Sequence, residues 1–170
     1  MESQLSIRKL GVDFRTPLGR VHALRDVFSR DLRAFGVPDA ELVPAIERVV
    51  GGLEGALSDD RARWILSAHG EAHSELRLTG VAGDVLVDIA IDRTFVDADG
   101  VRWIIDYKTG MHEGADRDGF LDNERERYRA QLERYAVLMQ QLDARPIRLA
   151  LYFPLMRGWR EWEPGGGRAP

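Results

Sequence analysis

From residue 74 to residue 107 the chain turns back on itself twice while its apolar residues keep a two-residue period, and this stretch restricts the fold more than any other. Ser74-Glu75-Leu76-Arg77-Leu78-Thr79 alternates polar and apolar side chains, the pattern of a strand with one solvated face. Val81-Ala82-Gly83-Asp84 reads as a turn, Val85 to Phe95 as a second strand, Asp97-Ala98-Asp99-Gly100 as a second turn, and Val101 to Tyr107 as a third strand. A polar loop from Thr109 to about Gly119 leads into a long helix over Leu121–Leu142, rich in Arg, Glu and Leu. Pro146 stops it, Ile147 to Phe153 is a fourth strand, and Trp159-Arg160-Glu161-Trp162 can add an edge strand. A three-strand meander, then a helix, then a strand makes an α/β fold with a mixed central sheet flanked by helices.

The residues before the meander read as helical. Thr16-Pro17 has the signature of a helix start, and Val21, Leu24, Val27, Phe28, Leu32 and Phe35 recur at helical spacing until Gly36-Val37-Pro38. Asp39 can cap a second helix carrying Leu42, Ile46, Val49, Val50 and Leu53, weakened by roughly 1 kcal/mol at each of Gly51 and Gly52. Ser58-Asp59 can cap a short third helix through Trp64, Ile65 and Leu66. The expected organisation is an N-terminal helical segment over 1–70 packing on a core over 71–163, followed by a disordered tail, 164–170.

At 170 residues, 44% hydrophobic and 31% charged, the chain has the composition of a globular domain. It has no run of about 18 apolar residues, so no membrane span is expected. Residues 1–10 lack the apolar core of a signal peptide, and there is no cysteine, which excludes disulfides, thiol nucleophiles and iron–sulfur clusters and fits a cytoplasmic setting. A net charge of −4 argues against coating nucleic acid by bulk charge, but not against a local basic groove beside an acidic site.

The third strand ends in Asp106-Tyr107-Lys108, which puts an acid and an amine at the edge of a core. Side chains alternate along a strand, so Asp106 and Lys108 share a face. The turn near Asp99 folds the second strand back so that Asp92 falls opposite Asp106, at a separation of about 4.5–5.5 Å for an opposed pair. Two carboxylates that close raise one another's pKa unless a cation lies between them, and such a ligand set suits Mg²⁺ or Mn²⁺. A metal site beside a lysine points to hydrolysis of a phosphate ester. The alternative is a surface hairpin with solvated acids and an ion pair worth under about 1 kcal/mol.

Three segments carry a more specific signal. Ile91-Asp92-Arg93, Asp106-Tyr107-Lys108-Thr109-Gly110 and Tyr128-Arg129-Ala130-Gln131-Leu132-Glu133-Arg134-Tyr135 occur in that order. Together they resemble the PD-(D/E)xK nucleases, and within them the RecB/AddA-like nuclease domains that follow UvrD-like helicase motors. The resemblance covers roughly residues 73–155 and implies a restriction-endonuclease-like core. It implies that Asp92, Asp106 and the Tyr107 carbonyl ligate Mg²⁺ or Mn²⁺, and that Lys108 is the catalytic lysine. Gln131 and Tyr135 would lie on the helix beside the site, touching DNA or orienting the cluster. Arg93, Arg125, Tyr128 and Arg129 are candidates for DNA contact; a core role for the tyrosines and a solvated helix face for the arginines are the alternatives. The family also places a histidine ligand on an early helix. His22, in Leu18-Gly19-Arg20-Val21-His22, is the best match, though its spacing from Gly19 is one residue short, and His69 and His73 are further candidates. Glu75 corresponds to an acid before the first strand in relatives, and alternation counted back from Asp92 puts Asp88 on the same face.

The implied function is metal-dependent, exonuclease-type hydrolysis of DNA ends or single strands in repair and recombination. The chain has no P-loop GxxxxGK[ST], so unwinding would come from a UvrD-like helicase in the same polypeptide or a partner. The rival reading is a catalytically silent nuclease-fold domain that binds DNA or docks a helicase.

Overall fold

The computed structural model describes residues 6–7, 12–13, 21–82, 84–112 and 114–166, apart from the side chains of 6–7, 12–13, 21–27, 56 and 82. Two short strands, β1 (Ser6–Ile7) and β2 (Val12–Asp13), pair antiparallel. They are followed by helices α1 (Val21–Ala34), α2 (Asp39–Ser58) and α3 (Asp60–Leu66), then β3 (Gly70–Ala82), β4 (Val85–Val96) and β5 (Arg102–Tyr107). Helix α4 (Arg117–Gln140) crosses to β6 (Ile147–Phe153), and a 3-10 turn at Pro154–Met156 leads to β7 (Gly158–Trp162). The chain divides into two compact units, residues 1–54 and 55–170.

In the first unit, α1 and α2 pack through Phe28 and Leu32 against Leu42, Ile46 and Val50. Helix α1 ends where the sequence requires it. Gly36 takes φ +84, its N–H donates to Arg33 O, and Val37 N–H donates to Leu32 O. These two bonds satisfy carbonyls of the last turn, and Leu32 and Val37 pack on the same apolar cluster. Gly51 and Gly52 lie within α2 without breaking it. The proposed helix start at Thr16-Pro17 falls outside the described residues.

The second unit holds a five-stranded sheet in the order β3-β4-β5-β6-β7. Only β5 and β6 run parallel, and the other neighbours are antiparallel. Helix α4 covers one face, with Leu121, Leu132, Ala136 and Met139 buried against Ile91, Ile104, Leu149, Leu151 and Phe153. Helix α3 covers the other, with Ala62 and Ile65 against Phe95, Trp103, Ile105, Ala150 and Tyr152. The mixed sheet with flanking helices is the expected α/β fold, consistent with a restriction-endonuclease-like core. Helix α4 begins four residues earlier than its apolar pattern indicates, because the Asp116 side chain caps it by accepting from Gly119 N–H at 2.8 Å. Of the tail, residues 164–166 form a turn in which Gly166 N–H donates to Glu163 O, and 167–170 lie outside the described residues.

The β3–β4 hairpin keeps one register from His73↔Thr94 to Ala82↔Val85, yet its faces exchange midway. Leu76, Leu78, Ile89 and Ile91 pack on the α4 side. Ala72 and Phe95 pack on the α3 side, although strict alternation would put them on the same face as the first set. The exchange falls between Ser74↔Arg93 and Leu76↔Ile91, at the facing residues Glu75 and Asp92. Glu75 has φ +54, a left-handed conformation that costs an L-residue about 1–2 kcal/mol. Asp88 alternates with Ile89 and hydrogen-bonds Thr79, so it faces away from α4. The expectation that Asp88 shares a face with Asp92 is therefore corrected: alternation does not run through the kink.

At the start of β5, Arg102 is buried and donates to Asp143 Oδ2 at 2.8 Å, to Glu71 Oε2 at 2.5 Å and to Glu71 O at 3.1 Å. Burial alone would raise the Asp143 carboxyl, but donors from Arg102 and Arg145 outweigh it, so Asp143 titrates below its ordinary 3.8. Hydrogen bonds from Arg145 and then Arg102 hold Glu71 below 4.5. Folded-state pKa values that are depressed stabilise the fold above the unfolded values, and that stability is lost as pH falls through the folded ones.

Two outcomes follow for urea unfolding. Arg102→Met removes the buried partner of Asp143 and should cost about 3 kcal/mol at pH 7, with the deficit shrinking below about pH 4, whereas Arg145→Met, on the exposed rim, should be much the milder of the two. Glu75→Val should be less stable than Glu75→Asn by about 1–2 kcal/mol, because Asn tolerates the left-handed region and a β-branched residue does not.

Candidate active site

The face exchange brings Asp92 to the α4 side of the sheet. The ladder pairs Arg93 with Ile105 and Thr94 with Ile104, and the next step outward puts Asp92 opposite Asp106. The register expected from the turn is the register observed. Asp92 Oδ2 accepts the Tyr107 N–H at 2.8 Å, which ties the first acid to the backbone between Asp106 and Lys108. On β5, Ile104, Asp106 and Lys108 share the α4 face, while Ile105 and Tyr107 lie on the α3 face.

Asp106 is 5% exposed. Lys108 Nζ pairs with its Oδ2, yet that buried oxygen accepts no well-formed hydrogen bond. Burial pushes the Asp106 carboxyl above its ordinary 3.8; the Lys108 ammonium pulls it back in part, and the Asp92 charge adds to the rise. A buried carboxylate whose pKa stays raised despite its lysine, with a second acid opposite it, is a place where a hard cation lowers the energy. Among the described residues no three of His, Asp or Glu gather into a ligand set. The protein groups that converge here are therefore two carboxylates, and Mg²⁺ characteristically completes such a pair with water and substrate phosphate oxygens. The donor set fits a divalent ion of that kind.

Helix α4 supplies the wall. Lys108 Nζ lies 3.7 Å from the centroid of the Tyr128 ring. One turn on, Gln131 Nε2 donates to Tyr135 Oη at 2.7 Å. Tyr128 and Tyr135 also pack on the apolar cluster beneath the helix, so each has a core side and a site side. The contact of Tyr128 with the lysine is absent from the sequence reading: the three-residue step to Gln131 places both on one stripe but does not place that stripe against Lys108.

Other candidates lie elsewhere or are engaged. Arg93 donates to Ile65 O at 3.1 Å and Ser67 O at 3.2 Å and lies over Phe95, bracing the end of α3 on the opposite face. His69 stacks on Phe95 at 3.9 Å and bonds Trp64 O at 2.6 Å, also on that face, and His73 is exposed on β3. Arg125 pairs with Asp122 and Glu126, and Arg129 pairs with Glu126 and Glu133. The Tyr107 phenol is pushed up to about 12, chiefly by burial, so it stays protonated near neutrality. The side chain of His22 lies outside the described residues.

The charges acting on Asp106 can be separated by carboxyl-carbon NMR titration without metal. Lys108→Met removes the cation and should move the Asp106 midpoint up, and Asp92→Asn removes the opposing acid and should move it down.

Comparison with curated proteins gave no match. Among solved structures, "Crystal structure of SSO0001" is similar over 88% of this chain and 69% of its own, at 15% identity and a TM-score of 0.34, too low to bear on the argument. The PD-(D/E)XK nuclease superfamily, by contrast, matches residues 17–163, a span that contains Asp92, Asp106 and Lys108 together with the whole of the sheet that positions them. On that match, the chain belongs to the PD-(D/E)XK nuclease superfamily.

Proposed function

We propose that this chain is a Mg²⁺- or Mn²⁺-dependent deoxyribonuclease acting on DNA ends or single strands, with residues 71–163 as its nuclease core. The observation that carries the reading is the convergence of Asp92, Asp106 and Lys108 on one face at the end of β5, where the buried Asp106 Oδ2 is held by the Lys108 ammonium without a well-formed hydrogen bond. Asp92 and Asp106 would hold the ion, with the Tyr107 carbonyl as a further oxygen and His22 as a candidate fourth ligand. Once bound, the ion supplies Lewis acidity to the scissile phosphoryl oxygen and a more acidic water.

The protein's own groups do the rest. Asp106 is kept from water by the sheet and α4, so its interaction with a cation is weakly screened. Lys108, its side chain 18% exposed, presents a positive charge where negative charge develops on the phosphate. The hydrogen bond between Gln131 and Tyr135 fixes both side chains on the α4 stripe beside the lysine, where they orient the cluster or meet the strand. Tyr128, Arg125 and Arg129 on the same helix are candidates for contact with backbone phosphates; the arginines would exchange their Glu126 pairs to reach them. Arg93 is a further DNA-contact candidate once its carbonyl partners are displaced.

The helicase-linked setting rests on the Asp-Tyr-Lys-Thr-Gly and Tyr-x-x-Gln-Leu-x-x-Tyr segments. We read the chain as the nuclease part of a RecB-like helicase–nuclease system of DNA repair and recombination in the cytoplasm, with a UvrD-like motor in cis or trans. Among the described residues no helix is long and apolar enough to cross a membrane.

Purified protein incubated with linear single- and double-stranded DNA should cleave in the presence of Mg²⁺ or Mn²⁺ and not in EDTA. Lys108→Ala and Asp106→Asn should each lower the rate by at least about 10²-fold. DNA binding without metal-dependent cleavage would instead establish the silent binding domain.

A further inference from the structure

The catalytic lysine of the proposed site has two partners, and only one survives when a cation arrives. Lys108 Nζ faces the Asp106 carboxylate and, 3.7 Å from its centroid, the Tyr128 ring. A dication held by Asp106 would compete with the ammonium for the carboxylate and would repel it. A group held by the carboxylate alone would then either leave the site or stay and compete with the metal. The ring face attracts a cation through its quadrupole whatever the carboxylate is doing. It is carried on α4, whose buried residues Leu121, Leu132, Ala136 and Met139 fix it to the sheet independently of the site. Arg127 also lies over this ring, at 5.2 Å, but its side chain is 68% exposed and paired with Glu124, so it competes weakly.

We propose that Tyr128 is a positioning residue: its aromatic face is the seat that keeps Lys108 in the active site in both the metal-free and the metal-loaded states. The proposal rests on the nuclease reading for its catalytic consequence, but the seat can be observed without any reaction. It also assigns Tyr128 a duty distinct from a contact to DNA, because the requirement is for a ring face and not for the hydroxyl.

Two readouts test it. The first is the proton shift of the Lys108 Cε methylene, which a ring face moves upfield. It should be upfield in the wild type and in Tyr128→Phe, with and without Mg²⁺, and should return to the ordinary lysine position in Tyr128→Leu. The second is kinetic. Tyr128→Leu should lower kcat by about 10- to 100-fold and leave KM for DNA within about threefold, while Tyr128→Phe restores most of kcat. It should also weaken Mg²⁺ binding in calorimetry, since the unseated ammonium then competes for Asp106. An unshifted Lys108 methylene in folded wild-type protein overturns the seat, as does a fully active Tyr128→Leu. If Tyr128→Leu does not fold, the wild-type and Tyr128→Phe shifts decide the matter. A loss borne by KM alone would assign Tyr128 to strand binding and overturn the proposal. An upfield methylene in a protein that cleaves no DNA supports the seat and refutes the nuclease reading.

Discussion

Because β5 and β6 run parallel, the chain must return from the end of one to the start of the other, and α4 is the segment that makes the return. A crossover helix has to lie on the face of the sheet it spans. That places the stripe of Tyr128, Gln131, Leu132 and Tyr135 over the β5 face that carries Ile104, Asp106 and Lys108. The site therefore lies at the C-terminal end of a central strand, under a helix that the topology obliges to be there.

Strand β5 carries a buried charge near each end, and the two are treated differently. Arg102 is surrounded by acceptors from Asp143 and Glu71, whose carboxyls are held below their ordinary values. Asp106 has one amine, one opposing acid and an oxygen without a well-formed hydrogen bond, and its carboxyl is held above the ordinary value. The same strand is anchored at one end and electrostatically incomplete at the other. Incompleteness of this kind is what a binding site needs, because a fully satisfied carboxylate has little to gain from a cation.

Much of this is legible in the amino-acid order. The strands, the hairpin turn at Asp97–Gly100 and the β4–β5 register that carries Asp92 toward Asp106 follow from a two-residue period and a short polar turn, both local properties. The exchange of faces at Glu75 and Asp92 does not. Val85, Val87, Ile89, Ile91 and Phe95 keep one parity along the chain, so nothing in the pattern marks that Ile91 faces α4 and Phe95 faces α3. It coincides with a left-handed backbone at Glu75, a residue type with no bias toward positive φ. For the same reason Asp88 reads as a neighbour of Asp92 and is not. The first turn of α4 was hidden because Asp116 caps it ahead of any apolar periodicity. The seat of Lys108 on Tyr128 was hidden because it depends on how a helix is laid across a sheet, a distance that no spacing encodes.

The last strand shows where that helix gets its footing. Arg160 on β7 bonds Asp118 and Asp122 in the first turns of α4, and Arg117 bonds Met156 O just ahead of β7. Gly158 lies so close to Leu121 that an added Cβ would meet its Cδ2 at 2.8 Å. A polypeptide ended after Phe153 would retain every acid, amine and ring named at the site, yet the beam that carries Tyr128 would be fastened along its underside only. The terminal strand, which carries none of the candidate site residues, is thus the rivet by which the roof of the candidate site is held at its near end.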